Sequence, residues 1–169
     1  MIASLLRVTT AKEKTVMTKE MFFIIPGEPQ GKARAQTVRL KNGFSHSYTP
    51  EQSVSYENLV KFCFQEAAGQ DFQPMTGQFR VDITAYLGPP SSKPKIWTVL
   101  ALIEHVIRPT KKPDWDNIGK IVCDALNGIA YRDDSAVVDG RVRKFFSEKP
   151  RVEVTILDIT DFRDHWSRK

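Results

Sequence analysis

Short apolar or alternating runs, each bounded by turn residues, predict four strands along this chain. They are residues 21–25, 79–87, 141–146 and 152–156. The first is continuously apolar up to Pro26-Gly27, which predicts a buried strand. The second alternates apolar with polar residues, which predicts a strand with one buried face. The last two read as a hairpin around the turn at 147–150.

Three segments are predicted as helices, and the first and third repeat their apolar residues with the 3.6-residue period of a helix. They are residues 49–69, 95–105 and 114–128. At the start of the first, Thr49 and Gln52 have the spacing of a capping box around Pro50, and Gly69 ends the segment. The third ends at Asn127-Gly128, a typical helix stop.

The resulting order, β-α-β-α-α-β-β, predicts an α+β fold with two layers, in which a small mixed β-sheet carries helices packed on one face. Residues 28–43 are predicted as a loop or irregular hairpin. The length suits one domain, placed at residues 20–160. Residues 1–19 lack a period and are predicted as a weakly structured N-terminal extension, and residues 161–169 as a C-terminal tail.

The composition is that of a soluble globular protein, with 41% hydrophobic and 27% charged residues. A net charge of +5 favours an anionic partner such as nucleic acid. Cys63 and Cys123 form no CxxC or Cys/His cluster, which argues against zinc. The longest apolar stretch, around residues 96–107, is interrupted by charge and too short to span a membrane. With no signal peptide evident, a cytoplasmic protein is expected.

The segment KKPDWDNIGKIVCDALNG, residues 111–128, has two faces. Asp116, Lys120 and Asp124 fall four residues apart and line its polar edge. Asp114 follows Pro113, where the helix would begin. Acidic residues in a first turn are favoured by the free N–H groups and the helix dipole, so this segment alone is typical of a well-capped amphipathic helix.

A second acidic pair, Asp133-Asp134, follows a few residues beyond Gly128. A reversal of the chain there would bring the pair near Asp114 and Asp116. Clustered carboxylates repel one another unless a cation lies between them, and oxygen-only ligands suit Mg²⁺ or Mn²⁺. Nearby basic residues make a phosphodiester a natural substrate; they are Arg108, Lys111 and Lys112. The alternative is that Asp-Asp merely forms a turn.

One pattern resembles the core of the RusA-type Holliday junction resolvases, which are often prophage-borne endonucleases. It is Pro113-Asp114-x-Asp116-Asn117-x-x-Lys120-x-x-x-Asp124-Ala125-Leu126, followed by Asp133-Asp134-x-x-Val137. The close match covers about residues 111–144, and the N-terminal part agrees more loosely. The resemblance implies a homodimer that uses Mg²⁺, with Mn²⁺ as a possible substitute, to cut four-way DNA junctions by paired nicks.

The resemblance also assigns roles by position. The implied catalytic residues are Asp114, Asp116, Lys120 and Asp134; the implied metal ligands are Asp114, Asp116, Asp134 and, with less support, Asp133, while Asn117 has a supporting role. Lys120 could stabilise charge on the phosphate or leaving oxygen, or act as a base. It could also form a salt bridge that holds the carboxylates apart in the free enzyme.

Three basic clusters are predicted to contact DNA phosphates. They are Lys32 and Arg34; Lys111 and Lys112; and Arg141, Arg143 and Lys144, with Lys149 and Arg151 in the same cluster. For Arg141 and Arg143 the alternative is a solvated edge strand protected by charge. Trp115 is assigned either to the core or to a dimer interface.

Two other functions stay open at this point. One is a non-catalytic protein that binds branched DNA and uses the acidic cluster structurally. The other is a metal-dependent nuclease that acts on flaps or forks. Junction resolution by paired incision requires two sites that face opposed strands, and a symmetric dimer would present them.

Overall fold

A four-stranded mixed sheet forms the centre of the protein. The structure is a computed structural model that describes residues 20–39 and 44–160. Numbered in chain order, its strands are β1 (Glu20–Pro26), β4 (Phe79–Leu87), β5 (Val137–Phe146) and β6 (Arg151–Asp158). They lie in the order β1-β6-β4-β5, and β4 pairs in parallel with β5 but antiparallel with β6. A separate hairpin consists of β2 (Gln36–Arg39), which lies within the segment 28–43 predicted as a loop or irregular hairpin, and β3 (Ser45–Tyr48), which lies just beyond it.

The helical elements follow the predicted segments. They are α1 (Glu51–Ala68), α2 (Lys95–Thr98) and α3 (Trp115–Leu126). The predicted second helix is divided, because α2 passes directly into a π-helical turn at Val99–Ile103. A 3₁₀ turn at Asp134–Ala136 leads into β5.

The core lies between one face of the sheet and the helices. Phe23 of β1 and Ile83 of β4 both stand opposite Val154 of β6, and all three are buried. The Phe23 ring contacts Phe64 of α1 edge to face, with ring centroids 5.5 Å apart. The apolar stripe of α3 completes this core; its residues are Ile118, Ile121, Val122, Ala125 and Leu126. The predicted two-layer α+β fold with helices on one face is therefore confirmed.

Strand β1 is half-buried, and the prediction of a fully buried strand is wrong. Phe23 and Ile25 point into the core, whereas Phe22 is 49% and Ile24 45% exposed on the other face. The cause is its place at the edge of the sheet, where Phe22 and Ile24 lie on the face opposite the buried Phe23 and Ile25. A continuous apolar run does not reveal such a position, because apolar residues also occur on exposed sheet faces.

Strands β5 and β6 do not form the predicted hairpin. Each pairs with β4, which lies between them. The connection at 147–150 therefore passes the end of β4, where the Ser147 backbone N–H donates to the Leu87 carbonyl (2.9 Å). The short turn suggested a hairpin, but β4 lies between the two strands, and Thr84 on its second face is buried there.

The predicted capping box of α1 is also absent. Its N-cap is Pro50, and no side chain caps the helix. The polar residues of the first turn instead hold the loop after β1. Gln52 Nε2 donates to Gln30 Oε1 (2.9 Å), and Ser53 Oγ accepts from the Ala33 N–H (3.2 Å).

Several sequence predictions concern the ends of the chain, and those for residues 1–19 and 161–169 lie outside the described residues. Cys63 and Cys123 are free thiols. Among the described residues, no helix combines the length and apolar character needed to cross a membrane.

Two neighbouring isoleucines test the assignment of the buried sheet face. Ile25→Ala removes side-chain volume from a fully buried site and should lower the free energy of unfolding by about 2–5 kcal/mol. Ile24→Ala, on the exposed face of the same strand, should cost less than about 1 kcal/mol. Urea unfolding measures both. Equal losses in the two variants would contradict the assigned face.

Candidate functional site

The N-terminal end of α3 presents two exposed carboxylates. Asp114 is the N-cap residue in an extended conformation (φ −70°, ψ 148°), and Asp116 lies in the first turn. The Asp114 side chain makes no capping hydrogen bond. Within the described ranges, neither carboxylate is in an ion pair. Helix capping therefore does not account for Asp114, and both carboxylates are free to bind a ligand.

Two basic residues fix the loop that leads into Asp114. Lys144 Nζ donates to the carbonyls of Lys111 (2.6 Å) and Pro113 (2.8 Å). Arg108 Nη1 donates to the carbonyl of Lys144 (3.0 Å), and its Nε donates to the carbonyl of His105 (2.8 Å). Lys144 was predicted to contact DNA, but its ammonium is already bound to the backbone beneath the loop.

The loop after β1 packs against the first turn of α3. The Lys32 N–H donates to the Asn117 carbonyl (2.9 Å). A Cβ at Gly31 would lie 3.1 Å from the Cβ atoms of both Asn117 and Pro113, so the close approach favours a residue without a side chain. This contact makes the loop one wall of the candidate site.

The Lys32 side chain joins three elements instead of pointing to solvent. Its Nζ forms salt bridges with Glu57 of α1 and with Asp124 of α3 (3.0 Å for Asp124 Oδ2). Burial opposes the charged ammonium, but the hydrogen bonds and charges of the two carboxylates outweigh it and raise the pKa of Lys32. Lys32 therefore holds the loop, α1 and α3 together. Its ammonium is occupied by these two carboxylates and is not free to contact DNA as predicted.

A cleft of about 780 Å³ lies between this loop and the start of α3. It collects residues from predicted acidic and basic clusters; they include Lys32, Arg34, Lys112, Asp114 and Asn117. Lys111, outside this lining, is exposed in the same loop as Lys112. The cleft thus places Asp114, a carboxylate that suits a cation, beside Arg34 and Lys112, which suit an anion; Asp116 follows Asp114 closely in sequence but lies outside the cleft lining.

Lys120 lies one turn after Asp116 and is exposed. In the part of the chain that the structure describes, it forms no salt bridge with Asp116 or any other carboxylate. The alternative role, a salt bridge that holds the carboxylates apart, is therefore not seen. The Lys120 ammonium is available to a substrate.

Asp133 caps the 3₁₀ turn before β5. Its Oδ1 accepts from the Ser135 N–H (2.9 Å), and hydrogen bonding to Ser135 lowers the pKa of this carboxyl. This is the turn-forming role that stood as the alternative for the Asp-Asp pair. Asp134, the next residue, is exposed.

Asp134 lies beside the C-terminal half of α3. Burial raises the pKa of the Cys123 thiol; a hydrogen bond with Tyr131 partly offsets this, and the nearby charges of Asp134 and Asp124 add to the increase. Cys123 is roughly 10 Å further along the helix axis than Asp116. Residues 20–39 and 44–160 accordingly contain no group of three or more His, Cys, Asp or Glu that could hold a metal ion. The assignment of Asp134 as a third ligand stays a prediction.

The donor chemistry at the start of α3 nevertheless fits a hard divalent cation. Mg²⁺ is commonly bound in proteins through one or two carboxylates, with waters and substrate phosphates as its other ligands. Asp114 and Asp116 supply two exposed carboxylates, and the adjoining cleft has room for a substrate.

Arg141 and Arg143 lie on the other side of the sheet. In β5, Val142 faces α3, where a Cβ at Gly119 would lie 3.1 Å from Val142 Cγ2. The alternation of the strand places Arg141 and Arg143 on the opposite face, away from Asp114 and Asp116. The third predicted basic cluster is therefore divided between the two faces.

Sequence reasoning missed two contributors to the site architecture, Glu57 and Gly31. Glu57 lies within the predicted first helix, and nothing in the sequence identified Lys32 as its partner. Gly31 was a possible signal, since glycine often marks a close approach of two backbones.

Comparison with known proteins identifies relatives of this chain. The family model described as endodeoxyribonuclease RusA matches residues 26–157. The chain is also 37% identical over 141 residues to "Uncharacterized protein YqaN" of Bacillus subtilis (strain 168), a match that covers 82% of this chain and 96% of that protein.

Replacement of Lys32 tests its structural role. Lys32→Met leaves two carboxylates unpaired and should lower the free energy of unfolding at pH 7 by about 1–3 kcal/mol. Arg80→Met, which breaks the more exposed pair with Asp82, should cost at most about 1 kcal/mol.

The pH dependence has a definite sign, because the pKa of Lys32 is raised in the folded state. The stabilisation that the Lys32 ion pairs provide is complete at pH values below 10.5, the ordinary pKa of lysine. It is lost as the pH rises through the higher pKa that Lys32 has in the folded protein. Chemical denaturation of wild type and Lys32→Met between pH 7 and pH 11 would measure this. A stability difference that stays constant into the alkaline range would contradict it.

Proposed function

The chain belongs to the RusA family of endodeoxyribonucleases, and on this basis we propose that it is a Mg²⁺-dependent nuclease that resolves four-way DNA junctions by paired nicks. The observation that carries the proposal is the pair Asp114 and Asp116. Both carboxylates are exposed, free of ion pairs among the described residues, and next to a cleft that also contains Arg34 and Lys112.

Hydrolysis of a phosphodiester requires a nucleophilic water, neutralisation of phosphate charge and stabilisation of the leaving oxygen. Asp114 and Asp116 would hold the metal ion, with Asp134 as a further essential carboxylate. When bound there, Mg²⁺ or Mn²⁺ supplies Lewis-acid polarisation of the phosphate and a more acidic water. Lys120, one turn from Asp116, would direct its ammonium at the charge that develops on the phosphate or leaving oxygen.

Neighbouring groups would orient the substrate. Arg34, Lys111 and Lys112 are exposed at or beside the cleft and would contact phosphates of the strand to be cut. The Asn117 side chain would support the ligands from the first turn of α3, and Asp133 would do so indirectly through the 3₁₀ turn. Lys32 and Lys144 would act as positioning residues for the two walls of the cleft.

Paired incision calls for a homodimer, because two sites must face two opposed strands. Trp115 is 63% exposed at the start of α3, so the core assignment for this residue is wrong. A large exposed aromatic beside the proposed catalytic carboxylates supports its alternative assignment to a dimer interface.

One observation favours a second candidate, a non-catalytic protein that binds branched DNA. It is the absence, among residues 20–39 and 44–160, of a group of three or more potential metal ligands.

Incubation of the protein with Mg²⁺ and four-way, forked or linear DNA at one salt concentration separates the candidates. Binding without nicking supports the second candidate, and preferential cutting of forks supports a fork nuclease.

The carboxylate Asp116 provides the direct test of catalysis. Asp116→Asn should slow Mg²⁺-dependent nicking of a four-way junction about a hundredfold or more, because it removes a charged ligand for the metal. Asp71→Asn makes the same change at an exposed position in the loop after α1 and should cut at the wild-type rate. The proposal is wrong if wild type leaves the junction intact, or if Asp116→Asn cuts equally fast.

Lys144 tests whether the loop before α3 must be held in place. Lys144→Met removes both hydrogen bonds to the loop and should lower the rate of nicking about tenfold. The salt dependence of junction binding should not change, since the ammonium is not a phosphate contact. Lys144→Arg should restore part of the rate, and Lys95→Met, an exposed change on α2, should have no effect.

A loss of affinity with a shallower salt dependence would identify Lys144 as a DNA contact instead. Thermal unfolding of each variant shows whether a lower rate reflects a loss of folded protein.

A further inference from the structure

The face of the sheet opposite the helices carries four arginines: Arg80, Arg141, Arg143 and Arg151. It is called the open sheet face here and is defined by outward-pointing residues of β4, β5 and β6. The register aligns Asp82 with Arg141, Thr84 with Arg143, and Tyr86 with both Phe145 and Arg151. These rows form a continuous surface across three strands.

Charges on the open sheet face are unevenly compensated. On β4, Arg80 is paired with Asp82 (3.1 Å), and on β6, Arg151 is paired with Glu153 (2.8 Å). In the described part of the chain, Arg141 and Arg143 of β5 are in no such pair, although Asp139 precedes them on the same face. Uncompensated positive charge therefore accumulates along β5, at the edge of the sheet.

A third arginine is held at the same edge. The guanidinium of Arg108 lies 3.6 Å above the ring of Phe145, which in turn stacks with Tyr86 (centroids 5.7 Å apart). Two backbone carbonyls fix this guanidinium in its plane, so little conformational entropy remains to be lost on binding. Arg108, Arg141 and Arg143 together form what we call the arginine strip.

The arginine strip is suited to bind phosphate groups. Guanidinium groups bind phosphates through paired N–H donors, and a row of them along a strand matches the repeated charge of a nucleic-acid backbone. Phe145 is covered by Arg108 and Phe146 packs on Trp97, so neither ring is offered for stacking on bases. The arginine strip therefore suits contact with the phosphate backbone of DNA, which does not depend on the base sequence.

We propose that the arginine strip binds the phosphate backbone of a second DNA arm, on the opposite side of the sheet from the arm that is cut. The inference rests on the proposed function. Asp114, Asp116 and the cleft lie on the helix side of β5, whereas Arg141 and Arg143 lie on the open side. A straight duplex lying along one face does not reach the other, but a four-way junction supplies arms in different directions. Recognition of branched DNA would then arise from simultaneous contact with both faces.

The double variant Arg141→Gln/Arg143→Gln tests this inference. Its affinity for a four-way junction, measured by fluorescence anisotropy in EDTA over a range of salt concentrations, should fall at least tenfold at low salt. The slope of log affinity against log salt should decrease by about 2, because two phosphate contacts are lost. Affinity for a linear duplex of the same arm length should change less than threefold. Arg80→Gln removes an arginine already paired on the same face and should bind like wild type.

Two results would overturn the inference while leaving the proposed function in place. One is wild-type junction affinity and salt slope in the double variant. The other is an equal loss on junction and linear duplex, which would place the arginines on the arm that is cut. Failure of wild type to bind or nick the junction would instead overturn the proposed function, and the inference with it. Thermal unfolding of the exposed-site variants verifies that each is folded.

Discussion

The burial of the apolar stripe of α3 is the constraint on which the candidate site depends. Ile118, Ile121 and Ala125 are fully buried against the sheet, so the helix cannot rotate without exposing them. Its polar edge, with Asp116 and Lys120, is consequently turned to solvent. The contacts of Lys32 and Lys144 then fix the two loops beside the helix. Hydrophobic burial thus sets the direction of the polar residues, and hydrogen bonds set the shape of the cleft.

Much of this arrangement is readable from local sequence. The stripe of α3, the alternation of β4 and the exposed carboxylates at the start of α3 all follow from periods of 3.6 or 2. What failed depended on distant partners. The pairing of β5 and β6 with β4 and the binding of Lys32 by Glu57 join segments far apart in the chain. The assignment of Asp134 as a metal ligand stays a prediction, since its distance from Asp116 depends on how the turn after α3 is folded.

The division of the last basic cluster follows from the geometry of a strand. Arg143 and Lys144 are neighbours in sequence, yet one points to solvent across the open sheet face and the other beneath the loop before α3. Charge counted along the chain therefore overestimates the charge on any one surface. A basic patch is a property of a face, and for a strand only every second residue contributes to it.

Lys144 contacts main-chain carbonyls, and this has an evolutionary consequence. Every residue type supplies a carbonyl, so substitutions at Lys111 leave an acceptor in place for the ammonium. A change in the length of the loop would move both acceptors and displace Asp114 with them. Natural variation in this loop should therefore preserve the number of its residues, because both acceptors are main-chain carbonyls whose positions depend on loop length. The loop can adapt its side chains to different DNA without disturbing the carboxylate that follows it.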